Sequence, residues 1–272
     1  MKTVEEVKNY WSRNPLFSLE VKNPGSPDFF NAIDEIKKRD VESFAMNYWD
    51  FKGFNGKKVL DAGCGPGWLT VSYAVEKAEV YSVDLTKAAV ELTRKFLDHK
   101  KAFAYVEEGS VEKLKFENNF FDLVVSSGVI HHTPDLGKGF RECFRVLKPG
   151  GVAKITLYHK GILHNKFVFP VIRFAMKMIN FNRPGANLPS AKDADDFIRQ
   201  YDGLNNPVGI GMNASSWSDE LKKAGFVIEN FELHFFPKRF IPFGQLIPVW
   251  FHYLLDRYFG TMIYFNLRKP NN

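Results

Sequence analysis

Only two cysteines occur among the 272 residues, Cys64 and Cys143, far apart in the chain and one of them inside a glycine-rich stretch. They are too few to staple a fold, and they fit a reducing compartment better than a disulfide scaffold. Long apolar runs are missing too. No window offers the roughly 20 apolar residues a spanning helix needs, and the first residues, MKTVEEVKNYW, place acids and aromatics where a signal peptide would have an apolar core. A cytoplasmic protein is expected. There is no internal repeat and no low-complexity tract. The net charge of +6 is not gathered into an Arg/Lys stripe with zinc-ligand spacings beside it, which argues against a dedicated nucleic-acid module.

What is present is an alternation. With 45% of its residues apolar and 25% charged, the chain can bury one large core. KKVLDAG reads as a buried strand with WLTVSYAVEKA as the helix behind it; EVYSVDL is a second strand and TKAAVELTRKFLDH a second helix, with Thr86 placed to cap it. AFAYVEEG, FDLVVSSG and GVAKITLYH continue as third, fourth and fifth strands. The helix LGKGFRECFRVLKPG precedes the fifth and is expected to end at Pro149 and the glycines. SSWSDELKKAGF resumes as a helix, VIENFELHFF as a sixth strand and TMIYFNLRK as a last one. Strands and helices alternating with short connections predict a doubly wound, mostly parallel α/β sheet of seven strands, whose ligands bind beyond the carboxyl ends of the strands. Residues 1–55 fall outside the rhythm as an N-terminal helical cap, and residues 56–272 form the main domain. Within it, 159–214 read as a lid insertion after strand five and 237–259 as an aromatic insertion.

The stretch VLDAGCGPGWLT carries the chemistry. Glycines at Gly63, Gly65 and Gly67 let a ligand rest against bare backbone. Such a turn alone serves NAD, FAD and S-adenosylmethionine, or only the fold. The dinucleotide fingerprint GxGxxG puts its third glycine one residue later, where this chain has Trp68. Asp61, two residues before the first glycine, would repel a pyrophosphate but suits a ligand bearing an ammonium and a sulfonium. Asp84 ends the strand VYSVD, where an acid can accept both hydroxyls of a ribose. The three features together point to S-adenosylmethionine.

On these residues the chain resembles the class I S-adenosylmethionine-dependent methyltransferases, in the broad group that includes ubiquinone and menaquinone biosynthesis methyltransferases. VLDAGCGPG matches their first motif, VYSVDLT the second-strand acid, GSVEKLKFENNFFDLVVSSGVIHHTPD the adenine-edge and fourth-strand region, and RVLKPGGVAKI the run into strand five. The resemblance implies that Gly63, Gly65 and Gly67 approach the methionine part, that Asp84 takes the ribose, and that Asp61 orders the loop or holds the amino group. It also implies that Cys64, Leu85, Ser110, Val111 and Ser127 border the cofactor. Ser110 stands where the family often has an aspartate for the adenine amino group, leaving a weaker acceptor or the backbone at Val111.

If the methyl acceptor is a hydroxyl, a base must take its proton, and His131 and His132 in HHTPD follow the fourth strand at the acceptor edge. The other reading of this pair is a strand-end or helix-capping role. A metal is not expected, since adjacent histidines point apart and no nearby cysteine or carboxylate completes a ligand set. From Lys160 to Lys192 there is no acid, while Lys166, Arg173, Lys177 and Arg183 interleave with Phe167, Phe169, Ile172, Phe174, Met178 and Phe181. That is either a helix with a solvated basic side or a lid receiving a lipophilic or anionic acceptor, or touching an anionic membrane. In the loop YDGLNNPVG and just beyond it, Tyr201, Asp202 and Asn213 are further candidates. The expected activity is methyl transfer to a small molecule, O-methylation ahead of N- or C-methylation. A nicotinamide-dependent oxidoreductase and a non-catalytic cofactor-binding partner remain as alternatives. The aromatic run at 237–259 is expected to pack on the domain or on a second subunit as a homodimer contact, or to rest peripherally on a membrane.

Overall fold

In β1 (Lys58–Ala62) successive apolar side chains enter different cores: Val59 joins one buried cluster and Leu60 the other. The same division separates Leu123 from Val124 in β4 (Phe121–Ser127), as the two-residue period of a strand requires when both faces of the sheet are covered. The computed structural model describes residues 2–38, 44–179, 185–236 and 243–271. With β2 (Glu79–Asp84), β3 (Tyr105–Glu108), β5 (Leu147–His159), β6 (Gly211–Met212), β7 (Val227–His234) and β8 (Met262–Arg268), the strands form one sheet of order β3-β2-β1-β4-β5-β8-β7, with the short β6 on the end of β5. The pairings from β3 to β5 are parallel, whereas β8 runs antiparallel to both β5 and β7. The doubly wound sheet expected from the sequence is therefore present, with one two-residue strand beyond the seven.

Two helix ends explain differences in detail. Helix α6 (Leu136–Val146) stops before Leu147, because Leu147 pairs with Phe121 and the chain through Pro149 and the glycines already belongs to the long strand β5. Thr86 does cap α5 (Lys87–Lys100), its hydroxyl accepting the Ala89 N–H at 3.2 Å.

One face of the sheet is covered by α4 (Trp68–Val75) and α5, the other by α6 and α9 (Ala214–Lys223). The N-terminal segment does more than cap. In α1 (Val4–Arg13), held at its start by a Thr3–Glu6 capping box, Val4, Val7 and Trp11 share one face that borders the site. But α2 (Pro27–Ile36) and α3 (Ala45–Trp49) send Phe29, Phe30, Ile33 and Trp49 into the same core as Val59 and Leu123, so these two helices are part of the sheet's own packing. Tyr73 donates to the Trp49 carbonyl at 2.7 Å and Tyr48 to that of Phe265 at 2.9 Å, which fixes this segment across the sheet. The insertion after β5 builds a third, smaller cluster from α7 (Val168–Met178) and α8 (Ala194–Gln200), with Phe169, Met176, Phe197 and Ile198 closing over Tyr158. Helix α10 (Val249–Phe259) lies against β7. Phe181, Arg183 and residues 237–242 of the aromatic insertion lie outside the described residues. Both cysteines are buried free thiols, and burial pushes that of Cys143 up to about 12.

Candidate active site

Beyond the carboxyl ends of β1, β2, β4 and β5 lies a cavity of about 220 Å³. Its floor is the turn between β1 and α4. Gly63 adopts φ +91°, and a Cβ there would lie 2.3 Å from the Val129 side chain; Gly65, at φ +53°, has open space where its Cβ would be. Gly67 behaves differently. It N-caps α4 at φ +91°, and a Cβ would approach the Thr93 Cα to 2.9 Å, so its role is close packing of α4 on α5, and it is absent from the cavity wall. The remaining residues proposed from the sequence, Asp61, Cys64, Asp84, Leu85, Ser110, Val111, Ser127 and both histidines, do converge on this space.

The two acids stand in unlike settings. Asp61 is 1% exposed; one carboxylate oxygen accepts the Thr70 hydroxyl at 2.7 Å, while the other, Oδ1, has no hydrogen-bond partner among the described residues. Burial pushes its pKa up to about 7 against the opposing Thr70 hydrogen bonds. Asp84 accepts the Gly65 N–H at 3.0 Å on one oxygen and the Thr86 N–H and hydroxyl at 2.9 and 3.0 Å on the other, and burial raises it above the usual carboxylate range despite these bonds. It thus ties the glycine turn to the start of α5 besides facing the cavity. Ser110 is partly engaged, its hydroxyl accepting the Glu112 N–H at 3.2 Å. Trp68, in place of a third fingerprint glycine, donates its indole N–H to Asp34 on α2 at 3.1 Å.

The two histidines are held by different partners. His131 is wholly buried, and its Nδ1 lies 3.3 Å from the Tyr158 backbone N–H. An N–H can only donate, so Nδ1 accepts and the ring proton sits on Nε2, which has no partner among the described residues. Burial, and His132 beside it, push His131 well below the usual imidazole range, so the ring is neutral. His132 Nδ1 is 2.6 Å from the Val208 carbonyl, which can only accept, so here the proton is on Nδ1. Its Nε2 lies 3.2 Å from Asp202 Oδ2 without hydrogen-bond geometry, a separation that becomes an ion pair when the ring takes a second proton, and the Tyr158 hydroxyl donates to that same oxygen. Tyr10 of α1 donates to the Asp202 carbonyl, and Trp11 meets the His132 ring edge-on at 5.0 Å. Tyr201 also borders the cavity, but Asn213 does not: it caps α9 by accepting the Ser216 N–H at 2.8 Å. The walls above are apolar, with Val4, Val7, Leu16, Phe17, Phe235 and Met262. Among the described residues no group of side chains could hold a metal ion.

These features fit a nucleoside cofactor carrying a cationic amino-acid tail. The orphaned Asp61 Oδ1 is an acceptor without a donor, the space at Gly65 leaves backbone exposed to a ligand, and two carboxylates flank the turn where a pyrophosphate would need cations. Fold and site together define an α/β domain for such a cofactor. Residues 60–155 match the family model described as a methyltransferase domain. The chain is 27% identical over 251 residues to a ubiquinone biosynthesis O-methyltransferase of Photorhabdus laumondii, covering 79% of this chain and 98% of that protein. It is 34% identical over 145 residues to a malonyl-[acyl-carrier protein] O-methyltransferase of Legionella pneumophila, about half of each. A solved S-adenosylmethionine-dependent methyltransferase from Mesorhizobium loti shares the fold at TM-score 0.55 and 21% identity, over 79% of this chain and 92% of that one. The chain is a class I S-adenosylmethionine-dependent methyltransferase, with S-adenosylmethionine as its cofactor.

Proposed function

We propose that this enzyme O-methylates a small, largely apolar acceptor that bears an acidic hydroxyl such as a phenol. The observation that carries the reading is the His132–Asp202 pair opening on the same apolar cavity as Asp61, Asp84 and the glycine turn. The relatives named above, O-methyltransferases by name, support the oxygen preference.

When bound, S-adenosylmethionine supplies a methyl group already activated by its sulfonium. The protein's part is then placement and proton management. Asp61 Oδ1 would hold the amino group of the cofactor and Asp84 its ribose hydroxyls, while Leu85, Ser110 and Val111 would border the adenine and Cys64 and Ser127 the rim. Helix α1 and, from the lid, Tyr201 and Asp202 exclude water above the acceptor. His132 Nε2 takes the proton of the acceptor hydroxyl. The imidazolium so formed is held by Asp202, and the Val208 carbonyl keeps the other ring nitrogen protonated and the ring oriented, the logic of a base fixed by a third group. His131 cannot share that task, since its accepting nitrogen is used by Tyr158. Its Nε2–H serves as a donor to the acceptor oxygen.

The test is turnover on a panel of alkylated phenols and catechols, followed as S-adenosylhomocysteine formation over pH 6 to 9. His132→Ala should lower turnover by roughly 10² while leaving cofactor affinity intact, and Asp202→Asn should do so less severely. Wild-type turnover in both variants would remove the general base, and no turnover on any hydroxyl of the panel would remove the acceptor class.

A further inference from the structure

Helix α10 is built inside out. Its buried residues are polar: His252 Nε2 lies 3.0 Å from the Phe236 carbonyl, and Asp256 Oδ1 accepts the Phe236 N–H at 2.5 Å. Its large apolar side chains face solvent, with Trp250 71% and Tyr258 62% exposed, and the turn before it leaves Phe243 at 83% and Leu246 at 78%. The helical spacing of its aromatics, which in a globular domain marks the face that packs inward, here marks the face that does not. Helix α7 buries Phe169 and Met176 but adds to the exposed apolar surface, with Phe174 exposed by 67% and Phe167, just before it, by 76%. Both helices pack against the same short turn, Gly161–His164. An apolar surface of this extent on two neighbouring elements marks a binding face.

We infer that this surface docks on an anionic lipid bilayer. Charge selects the occupant. Among residues 160–179 and 243–259 the single acid is Asp256, which is buried, whereas Lys166, Lys177 and Arg257 are exposed. A second copy of the chain, joined by a two-fold axis, would set this patch against itself, cations facing cations with no carboxylate between them. A bilayer with anionic headgroups satisfies both parts of the surface, and tryptophan and tyrosine are the side chains favoured at its interface. No helix among the described residues is long and apolar enough to cross the membrane, so the contact is peripheral. The inference does not depend on which acceptor is methylated.

The full chain is sedimented with vesicles of phosphatidylcholine alone or mixed equally with phosphatidylglycerol, at 20 and 500 mM NaCl (about 20 and 4 Å of screening length). Binding to the mixed vesicles at low salt is expected, weakened at least about tenfold by high salt, by removing the anionic lipid, or by the double change Trp250→Glu and Leu254→Glu. Both positions are exposed, and unchanged thermal melting of the double variant confirms an intact fold. Absence of binding at low salt, equal binding to neutral vesicles, or binding that survives the double change overturns the inference. So does a concentration-dependent dimer in sedimentation velocity that the double change dissociates, which would give the surface to a second subunit.

Discussion

Replacing Asp61 by asparagine should make the protein more stable and a poorer binder of its cofactor, and the two effects have one origin. Burial raises the Asp61 carboxyl from 3.8 to about 7. At 1.36 kcal/mol per unit, the ionised form costs the folded state about 4 kcal/mol once fully charged. Because the folded chain holds this proton between pH 4 and 7 while the unfolded chain has released it, stability falls as pH rises through that window, and the cost is complete above it. Asparagine keeps an oxygen for the Thr70 hydroxyl and does not titrate. The Asp61→Asn protein should therefore melt about 5 to 10 °C higher than wild type at pH 8, taking 2 to 4 °C per kcal/mol for a chain of this size and some relaxation around the charge. Below about pH 4 the difference should vanish. Calorimetry with S-adenosylhomocysteine supplies the other half. A cationic amino group favours the ionised carboxyl, so wild-type affinity should rise about tenfold from pH 6 to pH 8 as the charged fraction climbs. The asparagine variant should show no such slope and should bind at least about tenfold more weakly at pH 8. Equal melting temperatures at pH 8, or undiminished affinity in the variant, would refute the assignment of Asp61 as a strained acceptor kept for the ligand.

The other predictions concern the same turn. Asp84→Ala should cut S-adenosylhomocysteine affinity at least tenfold, about 1.4 kcal/mol, and should also lower stability by about 1 kcal/mol, since the Gly65 and Thr86 groups it holds lose their acceptor; calorimetry and thermal melting separate the two effects. Gly65→Ala should chiefly weaken cofactor binding, because its Cβ would enter open space on the ligand side, whereas Gly67→Ala should chiefly destabilise the fold through the 2.9 Å approach to the Thr93 backbone. Comparison of melting temperature and affinity in the two variants checks this, and the same loss pattern in both would contradict it.

What the sequence disclosed was local. The strands β1, β2 and β4 are short, mostly apolar stretches ended by turn or acid residues, and Asp61, Asp84 and the glycines lie within one βαβ unit, so their convergence follows from chain direction alone. The parts that stayed hidden depend on who meets whom. Gly67 has the same backbone need as its neighbours, and only the proximity of Thr93, 26 positions on, turns it from ligand contact into helix packing. Tyr158 reads as one more apolar residue of a strand, and Asp202 lies in a loop 70 residues after His132, with a separation that no period in the chain records. Nor does periodicity decide which side of a helix faces inward. In α10 the aromatic residues and the pair His252 and Asp256, four apart, both recur at helical spacing, so a hydrophobic pattern assigns the aromatics to the interior. The Phe236 backbone reverses the choice. It offers a carbonyl and an N–H at the place where the helix lands, and His252 and Asp256 satisfy them. A helix anchored through its polar side must turn its apolar side to whatever surrounds the domain, which makes the identity of that surrounding the next thing to measure.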